Sequence, residues 1–261
     1  MSRDALPALS GCYVISLRPV GGHDALRRAA AEHGARVIAL SPWRLASRDD
    51  AATRAALRTA LSAPRVVFTS PAAVRAARAL RTLRARRPQD WYAVGTSTAA
   101  ALRHAGVFDD IATPVSMDSE GLLALTTLRD VRGRQIGLVT APGGRDRIAA
   151  VLRRRGARVL RADVYARVAV APSPRVVVRL RALDVASLLL ALSSGEALER
   201  TLDALPGDLV AMLRPVRVVA ASARLAALAR GRGFRDIVIA DSARPRALID
   251  AAVAGRGHGP D

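Results

Sequence analysis

The residues of this chain that could do chemistry are small hydroxyls, glycines and arginines, and they recur in one kind of place. Arg18-Pro19, Thr69-Ser70, Gly95-Thr96-Ser97-Thr98, Pro142-Gly143-Gly144-Arg145, Ser193-Ser194-Gly195 and Ser222 each follow a short apolar run and precede an Ala/Leu/Arg-rich stretch. That is the pattern of a turn between a strand and a helix. Small side chains there leave the first backbone N–H groups of the helix open. Those groups, at the positive end of the helix dipole, bind carboxylate or phosphate oxygens. The competing role of each Ser or Thr is to cap its helix, worth about 1 kcal/mol. The chemistry indicated is the holding of an anionic ligand, with Arg18, Ser70, Gly95, Thr98, Arg145, Ser194 and Ser222 as candidate contacts.

Standard catalytic kits are missing. The first apolar run is followed by Gly21-Gly22 and not by a G-x-G-x-x-G fingerprint, and neither a P-loop nor a G-x-S-x-G elbow occurs. His23, His33, His104 and His258 stand at no metal-ligand spacing, and no carboxylate pair stands out. The single Cys12, in the apolar run Cys12-Tyr13-Val14-Ile15, cannot form an intramolecular disulfide and reads as a buried thiol. A zinc site is not expected. An enzyme made this way works mainly by holding and shaping its substrate, helped by one hydroxyl acid.

The elements that would carry these turns occur twice. Tyr13–Leu17, the turn Gly21-Gly22-His23-Asp24 and Gly34-Ala35-Arg36-Val37 are echoed by Ile136–Thr140, Gly143-Gly144-Arg145-Asp146 and Gly156-Ala157-Arg158-Val159. Val66–Val74 is echoed by Leu190–Leu198, and Val94–Thr98 running to Gly106 is echoed by Ala221–Leu225 running to Gly233. Gly34 recurs as Gly156, Ser70 as Ser194 and Gly106 as Gly233, so the offset grows only from 122 to 127 residues. The strands are continuous Val/Ile-rich runs, as when helices cover both faces of a sheet. Helices such as 24–33 and 146–155 stop at Gly34 and Gly156. A duplicated α/β half with a parallel, doubly wound sheet in each copy is the predicted fold. The proline-bearing extended runs 36–45 and 158–171 are the expected connectors, and the tail from Gly255 is expected to be disordered.

With 261 residues, 51% apolar, the chain can bury a large core, built from Ala, Val, Leu and Ile because aromatics make up only 3%. All 41 basic residues are arginine and the net charge is +19, a field that attracts polyanions. The arginines read as spread along the chain, with short clusters such as Arg153-Arg154-Arg155. That spread and the lack of aromatics argue against nucleic acid as the partner. No window of about 18 apolar residues offers a membrane span, so a cytoplasmic protein is expected.

In order, Phe68–Val74, Val94–Ala99 with Gly106, Gly143-Gly144-Arg145, Val164-Tyr165, Ser194–Leu198 and Ser222–Ala226 resemble the uroporphyrinogen-III synthase family, over nearly the whole chain. The resemblance implies two flavodoxin-like lobes joined by a two-stranded connector, with the active site in a cleft between them. The lobes would not be sequential halves: 1–38 with 168–261 would form one, 43–160 the other, and 39–42 and 161–167 the connectors. The implied substrate is hydroxymethylbilane, a flexible tetrapyrrole polycarboxylate, closed to uroporphyrinogen III with loss of water and inversion of ring D. By resemblance, Tyr165 is the proton donor to the leaving hydroxyl and Thr98 a substrate-contacting hydroxyl. Arg18, Ser70, Ser194 and Ser222 are further contacts. The family implies a monomer with no cofactor, and a transient handover from hydroxymethylbilane synthase. The sequence departs from the family pattern at Leu17, at Ser193 and in the turn after Pro142, which lacks an acidic residue. The alternative reading is a non-catalytic two-lobed module that closes on a small polycarboxylate or another anion.

Overall fold

Short apolar runs separated by Ala/Leu/Arg-rich stretches become the strands and helices that their periods dictate. The computed structural model describes residues 7–86, 88–107, 110–116, 118–142 and 146–255. Along the chain come β1 (Tyr13–Ser16), α1 (Asp24–Glu32), β2 (Arg36–Ala39) and β3 (Trp43–Ser47). Next are α2 (Ala51–Leu61), β4 (Arg65–Phe68), α3 (Pro71–Leu80), β5 (Asp90–Ala93), α4 (Thr96–His104) and β6 (Ile111–Ala112). Then follow α5 (Ser119–Ala124), β7 (Gln135–Thr140), α6 (Arg147–Arg154), β8 (Arg158–Asp163) and β9 (Tyr165–Ala169). The remainder is α7 (Pro174–Arg181), β10 (Leu188–Leu192), α8 (Gly195–Ala204), α9 (Gly207–Leu213), β11 (Arg217–Ala220), α10 (Ala223–Gly231), β12 (Ile237–Ile239) and α11 (Pro245–Ala254).

Two compact units result, the first from residues 1–44 and 169–261, the second from 45–168. The first unit holds a parallel sheet in the order β12-β11-β10-β1-β2, the second a parallel sheet in the order β6-β5-β4-β7-β8. Read from the strand that follows each repeated start, both orders are 2-1-3-4-5, the flavodoxin-like arrangement. β7 and β8 stand in the second sheet where β1 and β2 stand in the first, and β4, β5 and β6 stand where β10, β11 and β12 do. The sequence duplication is therefore a duplication of one fold, entered by the chain at two different points.

Each extended run turns out to be divided. Its first part, β2 or β8, is an edge strand of a parallel sheet. Its second part, β3 or β9, joins a separate two-stranded antiparallel pair, in which Arg48 N–H donates to Val164 O and Val170 N–H to Pro42 O. The chain passes between units inside these two strands.

Burial follows the pattern expected of central parallel strands. All five residues of β10 are buried, as are Val66, Val67 and Phe68 of β4. In the core Phe68 stacks on Trp91 of β5 with ring centroids 5.4 Å apart. Gly34, Gly156, Gly106 and Gly233, the repeated glycines, all take positive φ where their helices end, a conformation that other residues adopt only under strain. Gly137 serves a different need. A Cβ there would collide with the Ala60 carbonyl oxygen, so β7 and the last turn of α2 approach as only glycine allows. Cys12 is buried. Gly255 is held in place, its carbonyl accepting from Arg217 Nη1 at 2.6 Å, while 256–261 and His258 lie outside the described residues. Among the described residues no helix is long and apolar enough to cross a membrane.

Candidate active site

In a parallel sheet every strand ends on the same edge, so the turns after the strands gather there. In the second unit this carboxyl edge carries Thr69 and Ser70 after β4, Gly95 to Thr98 after β5, and Thr140 at the end of β7. Ser70 is the N-cap of α3, its Oγ accepting from Ala73 N–H at 3.1 Å. The same Oγ lies 3.1 Å from Tyr165 Oη, and either hydroxyl can be the donor. Pro71 at the first helical position and the extended backbone of Ser70 set up this cap. Val164 and Tyr165 bring the phenol in from the other side of the chain, and Tyr165 is only 8% exposed. Beside this pair Thr69 Oγ1 donates to Thr140 Oγ1 at 2.9 Å.

The serine–tyrosine pair has a definite chemical consequence. Ser70 Oγ already accepts one N–H, so a proton passed between the two oxygens leaves one O–H free to point outward. Whichever group holds it, the pair presents a single hydroxyl donor fixed to a helix start, where negative charge is favoured.

The next turn differs. α4 begins at Gly95, which supplies no side-chain cap, with Thr96 and Ser97 exposed in the first turn. Thr98, also in that turn, is 3% exposed. Arg145 and the two glycines before it lie outside the described residues. Asp146, the next described residue, is held by Arg161, as is Asp163 at the end of β8.

The first unit repeats the plan with different groups. Ser194 caps α8 by accepting from Ala197 N–H at 3.3 Å, and Ser222 caps α10 by accepting from Leu225 N–H at 3.4 Å. Arg18 donates from Nη2 to the Ala243 carbonyl at 3.1 Å, and burial pushes its guanidinium down from its ordinary value. Of the predicted contacts, then, Ser70, Gly95, Thr98 and Tyr165 sit at the carboxyl edge of the second sheet, with Ser70 and Tyr165 bonded to each other. Arg18, Ser194 and Ser222 sit at that of the first. All three serines are N-caps.

Sequence reasoning passed over His23. It is the N-cap position of α1 and 3% exposed, with Nδ1 2.9 Å from Ser16 Oγ and Nε2 2.8 Å from Ser41 Oγ. Burial, reinforced by Arg27 and Arg18, holds its pKa below the ordinary value, so the ring is neutral at pH 7. His23 and Ser41 line a cavity of about 280 Å³ at the ends of β1 and β2, together with Arg27 and Ser173. The available signal was the repeat, since His23 stands where the other copy has Arg145. Among the described residues no group of three His, Cys, Asp or Glu side chains is placed to hold a metal ion.

This arrangement can be set beside known proteins. The family model described as uroporphyrinogen-III synthase HemD matches residues 24–250. The uroporphyrinogen-III synthase of Escherichia coli is 33% identical over 165 residues, which are 62% of this chain and 66% of that protein. The Salmonella typhimurium enzyme is 34% identical over 164 residues, 62% of this chain and 65% of its own length. The aligned part thus spans just under two thirds of these relatives. In fold, a mutant uroporphyrinogen III synthase from Thermus thermophilus superposes with a TM-score of 0.61, 18% identity and coverage of 94% of this chain and 99% of that one. The Helicobacter pylori uroporphyrinogen-III synthetase gives a TM-score of 0.60 at 12% identity, covering 93% and 98%. With the family model running from the first helix to the last and the same doubled fold in these structures, the chain belongs to the uroporphyrinogen-III synthase family.

Proposed function

We propose that this chain is a uroporphyrinogen-III synthase, a cyclising lyase that converts hydroxymethylbilane to uroporphyrinogen III. The observation that carries the reading is the Ser70–Tyr165 hydroxyl pair, set at the start of α3 within a chain of this family. In the reaction the hydroxymethyl group leaves as water, so its oxygen needs a proton. The resulting azafulvene cation is attacked by the last pyrrole through a spiro intermediate, which turns that ring over before closure. Tyr165 supplies the proton, and the Ser70 hydroxyl holds the phenol at a fixed angle and relays the proton that replaces it. The electron-rich pyrroles do most of the remaining chemistry.

The protein's other task is to choose one closure over another. Hydroxymethylbilane left alone closes without inversion, so the substrate must be held in a folded form. The carboxylates are held by Arg18 and Arg145, by the hydroxyls of Ser194, Ser222 and Thr98, and by the backbone N–H groups that open at Gly95. No cofactor takes part. We place the protein in the cytoplasm as a monomer that receives its substrate from hydroxymethylbilane synthase. Isomer analysis of the product tests the proposal: type III product that depends on the protein supports it. Type I product alone, from folded protein, refutes it and leaves an anion-binding module.

A further inference from the structure

The amino edge of the second sheet, away from the turns just described, holds a cavity of about 720 Å³. It lies where α2 and α3 end and β4 and β5 begin, and Arg58, Arg81, Arg84 and Arg86 line it, with Leu61 and Ala85 between them. We infer that this cavity is a second binding site, for a small ligand carrying several adjacent anionic groups, an oligophosphate or an oligocarboxylate.

Three observations carry the inference. The first is a local charge imbalance. Residues 51–89 contain nine arginines and no Asp or Glu, so what sets this stretch apart is the absence of acids. Some arginines elsewhere are neutralised, as Arg161 is by Asp146 and Asp163 and Arg217 by Asp236. Among the described residues no carboxylate pairs with Arg58, Arg81, Arg84 or Arg86.

The second observation is that helix ends account for only half of the cluster. Arg58 lies in the last turn of α2 and Arg81 caps α3, where a cation complements the negative end of the dipole. Arg84 and Arg86 lie beyond both helices and have no such role.

The third observation is that the loop is built. Leu83 is fully buried, and the Gln89 side-chain amide donates to Leu61 O at 2.8 Å and Ala63 O at 2.7 Å. Gln89 Oε1 accepts from Arg86 N–H and from Trp91 Nε1. These bonds tie the arginine-bearing loop to the end of α2 and to the sheet. The guanidinium groups are carried around a fixed concavity whose size suits a small molecule. Paired N–H groups on arginine match phosphate and carboxylate oxygens, and two half-buried apolar side chains leave room for a compact body.

Calorimetric titration of the full chain at low salt tests the site, with inorganic tripolyphosphate in one arm and benzenehexacarboxylate in the other. The site predicts saturable one-to-one binding of at least one probe, and the probe that binds tells phosphate from carboxylate. In R81A/R84A the affinity should fall at least about tenfold, since charge-assisted hydrogen bonds are lost. Both arginines are exposed, so folding should be unaltered, and thermal unfolding of the variant checks this. R153A/R154A removes the same charge from α6 and should change the affinity less than about twofold, the size of a general field effect. Absence of binding by both probes overturns the inference. So does equal weakening in the two variants, or tighter binding of a duplex oligonucleotide that the probes do not displace. The readout is independent of catalysis, so it stands or falls apart from the proposed cyclisation.

Discussion

Ser70, Ser194 and Ser222 are all N-caps, yet replacing them with alanine should not cost the same. Loss of a serine cap costs about 1 kcal/mol, and that is the whole expectation for Ser194→Ala and Ser222→Ala. Ser70 has a second partner, Tyr165 Oη at 3.1 Å, in a side chain that is 8% exposed. Its removal strands a nearly buried phenol, which adds about 1–3 kcal/mol. Ser70→Ala should therefore cost about 2–4 kcal/mol, two to four times the others. Tyr165→Phe, which removes the stranded group, should bring the further cost of Ser70→Ala back to about 1 kcal/mol, so the two substitutions couple strongly. Urea unfolding measures all of these, with Trp91, which stacks on Phe68 two residues before Ser70, reporting on the second unit and Trp43 on the first. Equal costs for the three serines, with Ser70→Ala indifferent to Tyr165→Phe, would refute the hydroxyl pair.

Three other outcomes follow from the same geometry. Tyr165→Phe should fold and lower turnover about 10²–10⁴-fold, the usual contribution of a general acid, as read by rate of type III formation; a loss under about fivefold would assign Tyr165 a packing role. His23 gives a pH dependence with a fixed sign. Its folded pKa lies below the unfolded value, so its contribution to stability is complete above about pH 6.5 and is lost as pH falls toward the folded pKa. Urea midpoints between pH 5 and 8 should show that slope, and His23→Ala should flatten it. Gly137→Ala should destabilise by about 1–3 kcal/mol or more, because a Cβ meets the Ala60 carbonyl with backbone on both sides; an unchanged melting temperature would show that α2 can move aside.

The doubled fold was legible because its signals are local. Apolar runs mark β1, β4, β7 and β10, and Gly34, Gly106, Gly156 and Gly233 stop helices where only glycine is comfortable. The same local rules identified the serine turns. What they leave open is which turns meet. Ser70 and Tyr165 are 95 residues apart, and nothing short of the parallel order β4-β7-β8 followed by β9 brings the phenol to α3. His23 shows the limit differently. A lone histidine in a polar turn gives no hint that Ser16 and Ser41 enclose it, because that depends on β2 lying beside β1. The connectors were half legible, since extended runs look alike whether they pair in a parallel edge or in the β3–β9 ribbon. Net charge hid its own distribution, and the acid-free stretch 51–89 shows only when the carboxylates are mapped as well as the arginines.

Isomer analysis of the cyclised product is the decisive test of the proposed synthase activity. Porphobilinogen and its deaminase generate hydroxymethylbilane in situ, and the products are oxidised and separated as type I and type III porphyrins. Type III product is expected in proportion to the protein added, displacing the type I isomer that forms without it. Type I product alone, at every concentration of folded protein, would contradict the proposed activity.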